Sequence, residues 1–271
     1  MRLTRSQVQQ LLEDNGLAPS RALGQNFVVD PNTVDRVVRL AEVGPHDHVV
    51  EIGGGLGALT LALAGTGAQV VTVEIDRHVV PVLRQIVEAE GVEVVQGDAL
   101  ALDWDATLAS SSRWVLVANL PYNVSVPLVC DLLDRVPAVE RMLVMVQREV
   151  GERLAASVGH PAYGIPSVKV AYWATARVVG RVPPTVFLPQ PRVESVLVRI
   201  DRRPSPAVAA DPERLFTLVR AAFGQRRKML RRSLVALVDP DAYDRAGIRP
   251  EARPEELDIA AWGRLTDAAG S

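Results

Sequence analysis

Asn119-Leu120-Pro121-Tyr122 follows directly on the apolar run Trp114-Val115-Leu116-Val117-Ala118. A Val-rich run of this kind reads as a buried parallel strand, and Pro121 cannot continue it. The tetrapeptide therefore stands at a strand's carboxyl end, where open α/β sheets bind their ligands. There the Asn side-chain oxygen and a neighbouring backbone carbonyl can accept both hydrogens of an exocyclic amine. The Tyr ring can stack on the flat base that carries the amine. These residues would hold an adenine with its N6 amino group presented for reaction. Asn and Pro also build ordinary turns, so the segments upstream decide the matter.

Residues Asp47 to Ile52 form a short strand signal, and Gly53-Gly54-Gly55-Leu56-Gly57 follows at once, then the helix-forming run Ala58 to Ala64. Strand, glycine turn and helix let backbone amides approach a ligand closely. A second strand, Gln69 to Val73, ends in Glu74, which lies 21 positions after Gly53 and is placed to bind ribose hydroxyls. Read as Gly53-x-Gly55-x-x-Ala58, the loop fits a loosened dinucleotide fingerprint. Read as Glu51-x-Gly53-x-Gly55-x-Gly57, it looks like the loop of S-adenosylmethionine (SAM) methyltransferases. A third strand, Val92 to Gln96, ends in Gly97-Asp98-Ala99. Methyltransferases use an acid at this place to accept a hydrogen bond from the cofactor's adenine amine, whereas dehydrogenases have no general need of it. SAM is the expected cofactor.

The elements that must position these residues alternate. Further strand signals fall at residues 141–147, 166–174 and 195–200, and helical signals at 31–41 (with Asp30 as N-cap), 77–90, 126–135 and 149–157. Alternation predicts a doubly wound, mostly parallel Rossmann-like sheet of seven strands, with an antiparallel strand at the edge. Thr4 and Gln7 have capping-box spacing for an N-terminal helix that stops near Gly16. The proline-punctuated stretch Asp201 to Ala207 marks a boundary between a catalytic domain, 1–203, and a small all-helical cap, 204–271. In the cap, Asp211 and Pro212 open a helix with Leu215, Phe216, Val219 and Phe223 on one face. A second helix is expected over 226–237. A third is expected from about Pro254 and Glu255, carrying Leu257, Ile259, Ala260 and Trp262.

The chain has 271 residues, 48% of them hydrophobic and 23% charged, which suits one large and one small globular domain. It has no run of 18 apolar residues and no apolar N-terminal signal region, so it is expected in the cytoplasm, away from membranes. The single cysteine, Cys130, excludes an internal disulfide, and the four histidines show no convincing ligand spacing, so no metal is expected. The net charge of −2 announces no nucleic-acid partner, but its distribution does. Between Pro212 and Arg232 stand seven basic residues, Arg214, Arg220, Arg226, Arg227, Lys228, Arg231 and Arg232, opposed only by Glu213. From Asp239 to Asp258 seven acids face three arginines. A segregated basic segment is a footprint for phosphate binding.

The ordered set Leu23-Gly24-Gln25-Asn26-Phe27, Glu51-Ile52-Gly53-x-Gly55-x-Gly57, Glu74-x-Asp76, Gly97-Asp98-Ala99, Asn119-Leu120-Pro121-Tyr122-Asn123, Phe187-x-Pro189-x-Pro191-x-Val193-x-Ser195 and Gln225-Arg226-Arg227-Lys228 closely resembles the ribosomal RNA adenine N6,N6-dimethyltransferases. Val28 and Gly54 depart from it mildly, standing where leucine and proline are expected. Within that family the small-subunit (16S) enzymes are the most similar in pattern. The resemblance implies that Asn26 and the backbone at Val28 close over the methionine end of SAM above Gly53 and Gly55. It implies that Glu74 holds the ribose hydroxyls and Asp98 the cofactor adenine. Asn119, which would also stand beside the cofactor's sulfonium, and the Leu120 carbonyl would hold the target N6, with Tyr122 and Phe187 sandwiching the target base. Arg220, Gln225, Arg226, Arg227, Lys228 and Arg231 would meet RNA. The implied partner is 16S rRNA within a small-subunit precursor, and the enzyme is expected to be a monomer. Rival readings are a large-subunit rRNA methyltransferase of the macrolide-resistance type, a non-catalytic RNA-binding assembly factor and, more distantly, a nicotinamide-dependent oxidoreductase.

Overall fold

The computed structural model describes residues 2–270. The chain forms two compact units, one built from residues up to Gly151 together with Arg177–Asp201, the other from Glu152–Ala176 and the chain from Arg202 onward.

The strands are β1 (Phe27–Val28), β2 (His48–Ile52), β3 (Gln69–Glu74), β4 (Glu93–Gln96), β5 (Trp114–Asn119), β6 (Val139–Gln147), β7 (Ala174–Val182), β8 (Phe187–Leu188) and β9 (Ser195–Arg202). Seven of them form one sheet in the order β4-β3-β2-β5-β6-β9-β7. Neighbours from β4 to β6 pair in parallel, and β9 runs antiparallel to β6. The strand order reverses between β2 and β5. A crevice opens at such a switch point, because the connections leaving the two strands diverge to opposite sides. The glycine loop leaves β2 and Asn119 ends β5, so topology alone brings the two halves of the expected site together. Val49, Val50, Leu116 and Val117 in these central strands are buried, as an apolar run between two helical layers requires.

The helices of the first unit are α1 (Arg5–Asp14), α2 (Pro31–Ala41), α3 (Ala58–Ala64), α4 (Val80–Val87), α5 (Trp104–Thr107) and α6 (Ser125–Arg135). The Thr4 backbone N–H donates to Gln7 Oε1 at 2.9 Å, closing the expected box at the start of α1. Asp30 caps α2 by accepting from the Thr33 N–H at 2.9 Å. The sequence did not signal the short pair β1–β8, which sets Val28 opposite Phe187. Two-residue strands are too brief to carry a period.

Helix α7 (Arg148–Ala155) precedes the elements of the second unit: α8 (Ile165–Trp173), α9 (Pro212–Gly224), α10 (Leu230–Ser233), α11 (Pro240–Ala246) and α12 (Ile259–Gly270). The strand expected at 166–174 is helix α8, and the seventh strand is β7, which follows it. Val168, Val170 and Tyr172 alternate like strand residues, but the segment is apolar on nearly every side and so has no legible period. Pro166 in its first turn and the Ser167 hydroxyl, which accepts from the Gly164 N–H at 3.1 Å, favour the helix. Strand β7 gives no strand signal in the sequence because Arg177, Gly180 and Arg181 interrupt its apolar pattern at the sheet's edge. Nor does residues 226–237 form one helix: turns lead into the single turn of α10. Helix α11 was overlooked although Asp239, Pro240 and Gly247 punctuate it. The unit's core gathers Tyr172, Phe216, Tyr243 and Trp262, with Tyr172 edge-on to Phe216 at 5.4 Å and the Lys169 ammonium 3.7 Å from the Phe216 ring centre.

Candidate active site

Three glycines carry the turn out of β2: Gly53, Gly55 and Gly57 have φ of 81°, 54° and 83°, a region that L side chains avoid. Space reinforces the constraint at Gly55 and at Gly57, where a Cβ would fall 2.9 Å from Val87. A Cβ on Gly55 would press on the Phe27 ring at 3.0 Å, whereas one on Gly53 would meet the Asn119 carbonyl oxygen at 3.6 Å, an ordinary contact. The bare backbone leaves room for a ligand between the β2 loop and the end of β5. Gly54 meets a different constraint. Its Cβ would fall 2.4 Å from Thr72 Oγ1 and 2.9 Å from Leu83, so a proline there is incompatible with this chain's own packing.

Glu74 ends β3. Its two carboxylate oxygens accept from the Gly55 and Asp76 N–H groups, each at 2.9 Å. This buried carboxylate is tied to the glycine loop, and burial raises its pKa while those amides oppose the rise. Asp98, exposed after β4, accepts from the Leu100 N–H at 2.9 Å. Ile75, which follows Glu74 directly and lines the same cavity, is 46% exposed, an apolar surface that a flat ring would cover. The only trace of this surface in the sequence is an apolar residue set between Glu74 and Asp76.

At the end of β5, Asn119 Nδ2 donates to the Asn26 carbonyl at 2.8 Å. That bond uses the amide's donor side and leaves Oδ1 as an acceptor. The Leu120 N–H donates to the Met145 carbonyl at 3.1 Å. Asn26 in turn donates through its own Nδ2 to the Gly24 carbonyl at 3.0 Å. The segment is held from the other side by Gln25, whose Nε2 donates to Asp76 Oδ2 at 2.8 Å. Gln25 thus links the acid loop to the strap that orients Asn119, a role the sequence did not disclose. Tyr122 is half-buried with its hydroxyl 2.9 Å from Ser195 Oγ.

A cavity of about 260 Å³ is lined by Asn26, Val28, Gly53, Gly55, Glu74, Asp98, Asn119, Leu120 and Tyr122. Phe187 does not line it. Its ring is fully buried in the hydrophobic core while its backbone pairs with Val28. The expectation that it sandwiches a base with Tyr122 therefore does not match this arrangement, because a ring packed on all sides offers no face. No His, Cys, Asp and Glu cluster suited to a metal occurs among the described residues, and no helix there is long and apolar enough to cross a membrane.

Glu51 lies behind the glycine loop, 1% exposed, with Thr60 and Thr72 hydroxyls donating to its Oε2. Burial pushes its pKa up to about 7, against the pull of the two hydroxyls. The folded form then binds this proton more tightly than the unfolded chain, so the carboxyl's contribution to stability falls as pH rises from about 4.5 to about 7 and is level above that. Denaturant unfolding at pH 5 and pH 8 should show a loss that Glu51→Gln lacks, on the order of 2–3 kcal/mol. Equal pH dependence of the two proteins would mean that folding leaves the Glu51 carboxyl unshifted.

The expected RNA-contact residues lie in the second unit, and Arg220, Gln225, Arg226, Arg227, Lys228 and Arg231 are all exposed. Folding partly undoes the charge segregation of the sequence. Arg226 comes to 3.7 Å from Glu255, and Arg231 to 3.0 Å from Glu251. Lys228 Nζ donates to Gln225 Oε1 at 2.8 Å.

A sequence profile described as "Ribosomal RNA adenine dimethylase" matches residues 18–269. A protein of Kineococcus radiotolerans named ribosomal RNA small subunit methyltransferase A is 46% identical over 273 residues, covering 97% of this chain and 90% of that one. One of the same name from Thermobifida fusca is 46% identical over 276 residues, covering 98% and 95%. Among solved structures, a dimethyladenosine transferase from Plasmodium falciparum superposes with a TM-score of 0.75 at 25% identity, covering 87% of this chain and 94% of that one. The 23S rRNA methyltransferase ErmE superposes at 0.70 and 25%, covering 91% and 100%. A profile spanning nearly the whole chain, near-full-length relatives and a seven-stranded sheet with its crevice between β2 and β5 agree: the chain belongs to the ribosomal RNA adenine dimethylase family.

Proposed function

We propose that this enzyme uses SAM to dimethylate N6 of two adjacent adenosines in the 3′-terminal hairpin of 16S rRNA during assembly of the small ribosomal subunit. One observation carries the chemistry: the Asn119 amide is oriented by the Asn26 carbonyl so that its oxygen is an acceptor, beside the Leu120 backbone and within the cavity. An exocyclic amine is a weak nucleophile because its lone pair is delocalised into the ring. Two acceptors on its hydrogens draw the nitrogen toward a pyramidal shape, and fixed positioning supplies most of the acceleration. Gly53 and Gly55 would take the methionine end of the cofactor, Glu74 its ribose and Asp98 its adenine amine. The bare loop, the apolar surface of Ile75 and the acids that flank it fit that group. Bound SAM supplies a methyl carbon made electrophilic by its sulfonium. Tyr122 would support the target base, which must be unpaired or flipped to reach the cavity. A monomethylated N6 retains one hydrogen, which permits the second transfer.

The names of the near-full-length relatives favour the small subunit over the 23S activity named for ErmE. Incubation with labelled SAM and either small subunits or naked 23S rRNA, followed by mapping of modified bases, tests the choice. Label is expected on two neighbouring adenines near the 3′ end of 16S rRNA, and label confined to 23S rRNA would reverse the reading.

The second unit would hold rRNA phosphates through its basic segment. Neutralising Arg226, Arg227 and Lys228 together should flatten the log–log dependence of particle affinity on salt by about 0.7–0.9 per lost phosphate contact. SAM affinity should stay constant, since the cavity that would receive it is lined by residues of the other unit. Filter binding of small subunits across a salt series measures this, and an unchanged slope would place the RNA surface elsewhere.

A further inference from the structure

We propose that Ser195 is a positioning residue for methyl transfer, its buried hydroxyl holding the Tyr122 ring in place at the cavity through a hydrogen bond to the phenol. The inference rests on the reading of Tyr122 as the platform for the target base. Stacking needs an aromatic face and makes no use of a hydroxyl, so a phenylalanine would stack as well. The Tyr122 hydroxyl instead reaches past β6 to the start of β9, where it lies 2.9 Å from Ser195 Oγ.

Ser195 is suited to be the fixed end of this pair. It opens β9, is 0% exposed and stands opposite Gln147 in the β6–β9 ladder. Just beyond, the Arg148 N–H donates to the Glu194 carbonyl at 3.0 Å, so the backbone on both sides of Ser195 is held. The serine side chain has a single torsion to a heavy atom, and its buried hydroxyl requires a partner. Tyr122, by contrast, sits on the connection between β5 and α6. There the Val124 N–H donates to the Pro121 carbonyl at 3.2 Å, and Ser125 Oγ donates to the Tyr122 carbonyl at 3.3 Å. These bonds fix the tyrosine's backbone and leave its ring to swing about two torsions. Pinning the phenol removes that freedom before a base arrives, which is the benefit of preorganisation. Burial raises the phenol's pKa, so it stays protonated and can serve as donor or acceptor.

The test is a double-mutant cycle on Ser195→Ala and Tyr122→Phe, read by single-turnover methyl transfer to small subunits at saturating SAM. Each single variant should lower the maximal rate about three- to tenfold, with unchanged SAM affinity and unchanged half-saturation by small subunits. The double variant should be no slower than Tyr122→Phe alone, because both changes delete one bond. A Ser195→Ala effect of equal size with or without the Tyr122 hydroxyl would overturn the proposal, as would wild-type rates for either single variant. Should Ser195→Ala fail to fold, as shown by its thermal melt, Tyr122→Phe alone removes the same bond and decides the matter by the same rate. Tyr122→Ala separates the two layers of the argument. If it transfers methyl groups normally, the platform reading itself fails. If it is slow while Tyr122→Phe is normal, only the role of Ser195 fails.

Discussion

Asn119→Ala is expected to slow methyl transfer on the order of a hundredfold while leaving the fold and SAM affinity largely intact. The variant removes an acceptor that would strengthen its hold on N6 only as the amine turns pyramidal. A loss of about 3 kcal/mol in the transition state corresponds to that factor. The structure adds a second limb to the prediction. Because Asn119 Nδ2 donates to the Asn26 carbonyl, Asn119→Asp would set an oxygen against that carbonyl and turn the strap away. The aspartate variant, although it retains an acceptor, should therefore also be slow. Single-turnover rates at saturating SAM and small subunits, with SAM affinity measured by calorimetry, test both limbs. A normal rate for Asn119→Ala would show that the amine is oriented by other groups.

Phe187→Ala should be costly in a different way. Its ring is enclosed in the core beneath the β1–β8 pair, and emptying such a site costs about 3–5 kcal/mol. For units of this size that lowers the melting temperature by roughly 6–20 °C. Phe187→Leu, which keeps much of the volume, should lose far less. Thermal melts of the three proteins settle it. An alanine variant with an unchanged melting temperature but lost methyl transfer would mean that the ring meets the base directly.

The chemistry of this chain was legible in one dimension wherever it depends on local backbone. Glycines at positive φ in the 53–57 loop, an acid at the end of β3 and a proline that stops β5 each declare themselves through a constraint on a few neighbouring residues. The α/β alternation predicts a doubly wound sheet and the family resemblance points to the residues that line the cavity, whereas the strand order that sets β2 beside β5 belongs to the fold. What the sequence could not disclose is what a side chain does when its partner is distant. Phe187 carries a motif suggestive of a base contact, yet packing encloses its ring. Ala174–Val182 became the seventh strand and Ile165–Trp173 a helix because an all-apolar segment and an interrupted edge strand both lack a readable period. The basic segment is segregated along the chain but meets Glu251 and Glu255 in space. The bonds from Gln25 to Asp76, Asn119 to Asn26 and Tyr122 to Ser195 join residues 51, 93 and 73 positions apart. The sequence points to which groups are suited to hold an adenine amine. Only the tertiary fold, through hydrogen bonds between segments far apart in the chain, decided which way those groups face.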